Sequence, residues 1–116
     1  LVAFSQPAYD AHSKHLKKDG LLLVEQDLVS AQPDTFRLRQ IPALRMAEKH
    51  FGKKIMANVV MLGYLVALLG GVSTQSLEAS IRKNVPHRFA DINIQAFHLG
   101  HRYGVSEIEP HAKGDR

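Results

Sequence analysis

Two short, continuous apolar runs lie near the start of the chain, and a stretch with helical spacing separates them. Residues 1–4 form the first run, which Pro7 closes, and residues 21–24 form the second. Between them, apolar and aromatic positions from Tyr9 to Leu16 recur three and four residues apart. Continuous apolar runs are typical of parallel strands buried on both faces. The pattern therefore predicts a strand–helix–strand unit with a right-handed crossover.

A short alternating stretch at residues 36–41 predicts a third strand with one polar face. Phe36 and Leu38 alternate with Arg37 and Arg39, and Pro42 ends the stretch. Side chains two residues apart on a strand point to the same face. We therefore expect the two arginines to project from one side of the strand.

The remainder of the chain has the apolar spacing of helices. We expect helices at residues 44–51, at residues 54–69, from Ser73 towards Pro86, and near residues 93–103. The second of these is apolar nearly all round. A membrane span needs about 20 mostly apolar residues, and Gly63 and Gly70 interrupt this run. We therefore expect a buried core helix and no membrane association.

Together these elements predict an α/β fold, with a small parallel or mixed sheet and flanking helices. We expect a single three-layer domain over residues 1–104 and a polar tail over residues 105–116. An isolated strand at the end of a chain is unusual in a parallel sheet. The domain is therefore expected to lack its N-terminal portion in this sequence.

The composition is that of an ordinary globular protein, with 45% hydrophobic and 22% charged residues among 116. The formal charge of +4 favours an acidic partner or a phosphorylated ligand, but it is lower than nucleic-acid binders usually carry. The chain contains no cysteine, which removes thiolate ligands and thiol nucleophiles. This is compatible with a reducing, cytoplasmic location.

No motif for catalysis or phosphate binding is present. The sequence lacks the glycine-rich patterns G-x-G-x-x-G and G-x-x-x-x-G-K-[ST], and it also lacks the nucleophile motif G-x-S-x-G. We therefore expect no catalytic residue and no cofactor bound by this chain alone.

Histidine pairs offer the only candidate metal ligands. His12 and His15, like His98 and His101, are three residues apart on predicted helices. A metal site needs three or four ligands, and no acidic residue completes either pair locally. We expect solvent-facing or half-buried imidazoles and no metal.

Basic residues occur in four clusters: residues 14–18, 37–39, 53–54 and 82–88. They could form a phosphate-binding or acidic-partner surface, or they could be solvated helix ends and an exposed strand face. If one cluster binds an anion, Arg37 and Arg39 are the candidates, because two guanidinium groups on one face of a strand could clamp it.

Two residues of the central helix call for an explanation. Asn58 is an amide in an apolar helix, and Gly63 costs nearly 1 kcal/mol relative to alanine in a helix interior. A close backbone approach at Gly63 would explain the glycine. Asn58, Met61, Gly63 and Tyr64 are therefore candidate subunit-interface residues, although packing within one domain explains the same pattern.

Five segments of the chain resemble, in order, the gamma subunits of 2-oxoacid:acceptor oxidoreductases. The central segment NVVMLGYL is similar to the N-x-x-x-L-G segment of that family, and NIQAFHLG is similar to its N-x-x-A-x-x-x-G terminal helix. The other three segments are YDAHSKHLKKDGLLLV, PALRMAE, and GVS followed by SLE. The resemblance spans residues 1–104. The glycine-rich G-x-G-G-Q-G turn that opens the family's domain is absent here, which agrees with a missing N-terminal portion.

The resemblance implies a non-catalytic subunit of a 2-oxoacid:ferredoxin oxidoreductase. The complex would convert a 2-oxoacid such as 2-oxoglutarate or pyruvate to its acyl-CoA. Thiamine diphosphate and iron–sulfur clusters would be held by partner subunits, namely the alpha, beta and ferredoxin-like delta subunits. This chain would be structural and would help to receive coenzyme A. An alternative from the residues alone is a stand-alone basic α/β module that binds a nucleotide or another phosphorylated ligand.

Overall fold

The computed structural model describes residues 1–12, 20–30 and 37–114, with side chains described as far as residue 108. The chain divides into two compact units, Leu1–Ala43 and Leu44–Arg116. The single domain expected over residues 1–104 remains a prediction. Each unit is described by itself below.

The first unit contains a parallel three-stranded sheet in the order β1-β2-β3. Its elements are β1 (Val2–Ala3), α1 (Gln6–His12), β2 (Leu21–Glu25) and β3 (Arg37–Ile41). The three predicted strands and the α/β fold class are confirmed, with the sheet parallel throughout. The predicted continuation of the first helix to Leu16, including His15, lies outside the described residues.

Strand β2 forms the centre of this unit. Residues 22–25 are completely buried. Leu22 and Val24 pack with Ala3 of β1 and Tyr9 of α1, and Leu38 of β3 packs against the same cluster. The sequence LLLV is apolar without alternation because both of its faces are buried, as expected for a central parallel strand.

The second unit is helical. It comprises most of α2 (Ala43–Phe51), a 3-10 turn (Lys54–Met56), α3 (Ala57–Leu69), α4 (Thr74–Asn84) and α5 (His87–Gly114). Gly70 and Gly71 end α3 with φ angles of 66° and 71°, a region that side-chain-bearing residues rarely adopt.

Helices α3 and α5 pack closely at three glycines, with direct backbone contact at Gly63 and Gly100 and a side-chain contact at Gly104. A Cβ added to Gly63 would overlap the carbonyl oxygen of Phe97 and lie 2.8 Å from the amide nitrogen of His101. A Cβ added to Gly100 would overlap the carbonyl oxygen of Val60 and lie 2.7 Å from the carbonyl carbon of the same residue. At Gly104 it would lie 2.6 Å from the Cβ of Ala67. The close approach expected at Gly63 is present, and the approaching backbone belongs to the same chain.

Helix α4 completes the unit. The Ser73 hydroxyl accepts a hydrogen bond from the backbone nitrogen of Ser76 at 3.3 Å, which confirms the predicted N-cap. Ile81 packs with Val66, Ile94 and Phe97, and Leu77 lies against this cluster. The helix predicted from Ser73 towards Pro86 is therefore present, with one apolar side packed in the unit.

Helix α5 is longer than the sequence pattern indicated. It was expected near residues 93–103, and it extends over 28 residues to Gly114. Gly104 does not end the helix, because it is buried against α3 as a packing residue. The backbone of residues 105–114 is therefore helical, and the polar tail over residues 105–116 remains a prediction.

The glycine contact predicts a large loss of stability for Gly63→Ala. Helix propensity alone would favour alanine by about 1 kcal/mol. The overlap with a backbone carbonyl cannot be relieved by a side-chain rotation, so we expect a net loss of about 3 kcal/mol or more in the free energy of unfolding. Chemical denaturation of the full-length protein measures this.

Gly52→Ala is the matched control. Gly52 has a φ of 66° and no atom within 4 Å of an added Cβ, so its cost is limited to backbone strain of about 1–2 kcal/mol. If Gly63→Ala and Gly52→Ala lowered the free energy of unfolding by the same amount, the glycine contact would not be what determines the packing of α3 against α5.

Candidate functional site

The candidate anion site, Arg37 and Arg39, lies on strand β3. Both side chains are exposed, whereas Leu38 between them is turned towards the core of the unit. Arg39 Nη1 donates a hydrogen bond to the carbonyl oxygen of Leu38 at 3.2 Å, which holds the guanidinium group along its own strand. The two arginines therefore have the two-residue spacing and exposure that a clamp for an anion needs.

A buried carboxylate lies at the end of the central strand, and the sequence pattern did not single it out. Glu25 is the last residue of β2 and has no exposed surface. Its Oε1 accepts a hydrogen bond from the backbone nitrogen of Asp27 at 2.7 Å and so fixes the turn after the strand. The sequence signal for it is an acidic residue directly after the apolar run LLLV.

The four candidate interface residues on α3 do not share one environment. Asn58 is exposed, so its amide is not packed within the unit. Met61 and Gly63 are buried, and Tyr64 is completely buried with its ring edge-to-face against Tyr103 at 5.5 Å between centroids. The reason is the orientation of α3, whose glycine face meets α5 and leaves Asn58 on the outside.

The outward side of α3 and its flanks carries apolar residues as well as Asn58. Ile55 is 71% exposed, Leu62 36% and Leu69 59%. Exposed apolar residues that cluster on one side of an element are typical of protein contact surfaces. One side of this apolar helix is therefore buried within the unit, whereas the other side leaves apolar side chains exposed to solvent.

His98 and His101 have different surroundings and do not act as a pair. His98 Nε2 contacts Glu78 Oε1 of α4, and both side chains are about one-third exposed, at 33% and 35%. His101 stacks on the ring of Phe97 at 6.0 Å. Among the described residues there is no group of three or more metal-ligating side chains. His15 lies outside them.

Tyr103 is a neutral phenol inside the helical unit. Partial burial raises its pKa above the ordinary value, and the negative charge of Glu107 raises it further, while Arg45 of α2 opposes the shift. The side chain packs against Tyr64 and does not ionise at neutral pH.

A groove of about 250 Å³ lies between the C-terminal end of α2 and the middle of α5. It is lined by His50 and Phe51 from α2 and by Gln95, Leu99 and Arg102 from α5. The sequence pattern did not single it out. The only signal is that Gln95, Leu99 and Arg102 are four and three residues apart and so share one helix face.

Three described residues of the other basic clusters have local partners. Lys54 Nζ lies 3.8 Å from Glu48, and Arg82 Nη1 lies 3.2 Å from Asp91. The Arg88 guanidinium lies over the Phe89 ring at 4.8 Å. Lys14, Lys17 and Lys18 fall outside the described residues. Within the described part of the chain, no helix has the length and apolar content that crossing a membrane requires.

Comparisons with known proteins match this chain to one family. The family model for pyruvate ferredoxin/flavodoxin oxidoreductase matches residues 1–103. A curated relative, 2-oxoglutarate synthase subunit KorC of Methanocaldococcus jannaschii, is 38% identical over 104 residues, which is 87% of this chain and 56% of the relative. The chain therefore spans just over half the length of that relative.

Two solved structures have the same fold. The gamma subunit of a keto/oxoacid ferredoxin oxidoreductase from Geobacter sulfurreducens has a TM-score of 0.84 and 36% identity, with 91% of this chain and 63% of that chain covered. The 2-oxoglutarate:ferredoxin oxidoreductase of Magnetococcus marinus has a TM-score of 0.75 and 20% identity, with 90% of this chain and 19% of that chain covered.

The contact between Glu78 and His98 predicts a modest contribution to stability. Glu78→Gln keeps the shape of the side chain and removes its charge, so we expect a loss of about 0.5–1 kcal/mol for a pair exposed to this extent. Denaturation of Glu78→Gln, His98→Gln and the double variant gives the coupling energy between the two residues.

Asp91→Asn serves as the comparison, because it breaks the more exposed pair with Arg82 and should cost less. A coupling energy near zero for Glu78 and His98 would contradict a role for the pair in joining α4 to α5.

Proposed function

The chain belongs to the pyruvate ferredoxin/flavodoxin oxidoreductase family, and on that premise we propose that it acts as a gamma subunit of a 2-oxoacid:ferredoxin oxidoreductase complex. The observation that supports this most directly is the match over residues 1–103 together with the fold shared with a solved gamma subunit. The reaction is the oxidative decarboxylation of a 2-oxoacid to its acyl-CoA. Our preferred substrate is 2-oxoglutarate, because the curated relative is a 2-oxoglutarate synthase subunit.

In this proposal the chain itself is non-catalytic. Thiamine diphosphate and iron–sulfur clusters are held by the alpha, beta and delta subunits, and this chain offers no thiolate to a cluster. Its part is to present surfaces to its partners and to help receive coenzyme A.

The outward side of α3 is the proposed contact with another subunit. Asn58 lies there with the exposed apolar side chains of Ile55, Leu62 and Leu69. Burying them would remove apolar surface from water, and the amide of Asn58 would fix the register of the contact. Gly63 and Tyr64 support the interface indirectly, by holding α3 against α5.

The proposed coenzyme A contact is the arginine pair of β3. Coenzyme A carries several phosphate charges, and guanidinium groups bind phosphate oxygens through paired N–H donors. Arg37 and Arg39 are exposed on β3.

The proposed activity predicts a specific assay result. The full-length protein, affinity-purified from its native cells with its partners, should reduce a viologen dye only when both 2-oxoglutarate and coenzyme A are supplied. Succinyl-CoA should accumulate in step with the reduced dye. Pyruvate and branched-chain 2-oxoacids, offered in parallel, test the substrate assignment. A purified complex with no 2-oxoacid-dependent activity of any kind would contradict the proposed function.

The arginine pair predicts a selective defect in the assembled complex. Arg37→Ala and Arg39→Ala should each raise the KM for coenzyme A by about three- to tenfold, the effect of losing one partly exposed charged contact. The kcat at saturating coenzyme A and the KM for the 2-oxoacid should be unchanged.

Lys83→Ala is the control, because Lys83 is an exposed cation of the helical unit. Unchanged KM values for coenzyme A in both arginine variants would rule out this pair as the coenzyme A contact.

A further inference from the structure

The groove between α2 and α5 presents hydrogen-bond donors that have no partner within the described part of the chain. Among the described residues, the side chains of His50, Gln95 and Arg102 make no hydrogen bond and no ion pair. Arg102 is a permanent cation with five N–H donors, and Gln95 contributes an amide donor. Three donor-bearing side chains with two apolar neighbours, Phe51 and Leu99, surround one volume.

These residues select a negatively charged group attached to a short apolar stem. The guanidinium of Arg102 matches the two oxygens of a carboxylate, and the amide of Gln95 can donate a further hydrogen bond. Phe51 and Leu99 are half-buried and offer apolar walls to methylene groups. A glutamate or aspartate side chain has this combination.

The size and openness of the groove decide between a free ligand and a side chain of another protein. Small-molecule sites typically enclose about 300–1,000 Å³ and bury most of the ligand surface. This groove holds about 250 Å³, and His50, Gln95 and Arg102 on its rim are exposed. An open groove leaves part of a bound free metabolite exposed to solvent, whereas a protein surface that delivers one acidic side chain would cover it.

The charge of the surroundings points the same way. Lys49 and Lys53 flank His50 and Phe51 in sequence and are exposed, and the chain carries a formal charge of +4. Glu48 is also exposed but lies 3.8 Å from Lys54, so the net charge of this stretch is positive, and a positive surface attracts an acidic partner and accelerates its association.

We propose that the groove formed by His50, Phe51, Gln95, Leu99 and Arg102 is a docking point for an acidic side chain of a partner protein. The inference rests on the proposed function in one respect only, namely that the chain works within a complex.

The groove is tested first on the full-length protein by NMR. The probe is N-acetyl-glutamate N-methylamide, and its neutral glutamine counterpart is the control. The glutamate probe should shift the side-chain amide of Gln95 and the Nε–H of Arg102, with an affinity at least about fivefold higher than that of the glutamine probe. Arg102→Ala should abolish this preference. Equal binding of the two probes would overturn the proposal.

The partner is tested next in the complex. Arg102→Glu should weaken the affinity of the full-length protein for the subunits that co-purify with it by about tenfold or more, and the loss should diminish at high salt. Lys83→Glu reverses an exposed charge elsewhere on the same unit and should leave the affinity unchanged.

Unchanged affinity of Arg102→Glu, despite binding of the glutamate probe, would make the groove a site for a free carboxylate and overturn the docking assignment. Failure to recover thiamine-binding and cluster-bearing subunits would sink the proposed function instead. The probe titration would still decide whether the groove accepts an acidic side chain.

Discussion

The contact between α3 and α5 through glycine backbones is the constraint on which the helical unit depends. Two helices that meet without intervening Cβ atoms at Gly63 and Gly100 lie closer together than side-chain packing would allow, and the contact fixes the rotation of each helix about its own axis. Tyr64 and Phe97 are therefore completely buried, and Asn58 faces outward. The same rotation places Gln95, Leu99 and Arg102 beside α2, where they line the groove. Both proposed protein contacts of this unit thus follow from one packing geometry.

This geometry also gives a physical reason for two of the segments by which the sequence resembles its family. The N-x-x-x-L-G and N-x-x-A-x-x-x-G patterns each end in a glycine of the helix contact, Gly63 and Gly100. Ala96 is one turn before Gly100 and has no exposed surface. Gly63 and Gly100 tolerate nothing larger because the neighbouring atoms belong to a backbone, which cannot change rotamer.

The sequence alone predicted the elements whose pattern depends only on neighbouring residues in the chain. The run LLLV, the alternation around Arg37 and Arg39, and the Ser73 cap each report the environment of their own segment, and the structure has the corresponding strands and helix start. Contacts between residues far apart in the chain could not be predicted from such local patterns. Gly104 has the sequence signature of a helix end, but its contact with Ala67 keeps it inside a continuous helix. The sequence left open whether Asn58 packs within the domain or lies at an interface, and the structure places it on the exposed side of α3. The groove between α2 and α5 joins residues some 50 positions apart and has no local pattern.

The most direct test of the account is to identify what the full-length protein binds in its native cells. Affinity capture followed by mass spectrometry should recover a thiamine-diphosphate-binding subunit and a cluster-bearing subunit in fixed ratio with this chain. Recovery of the protein alone, or with nucleic acid only, would contradict its assignment to an oxidoreductase complex and would favour a stand-alone binding module.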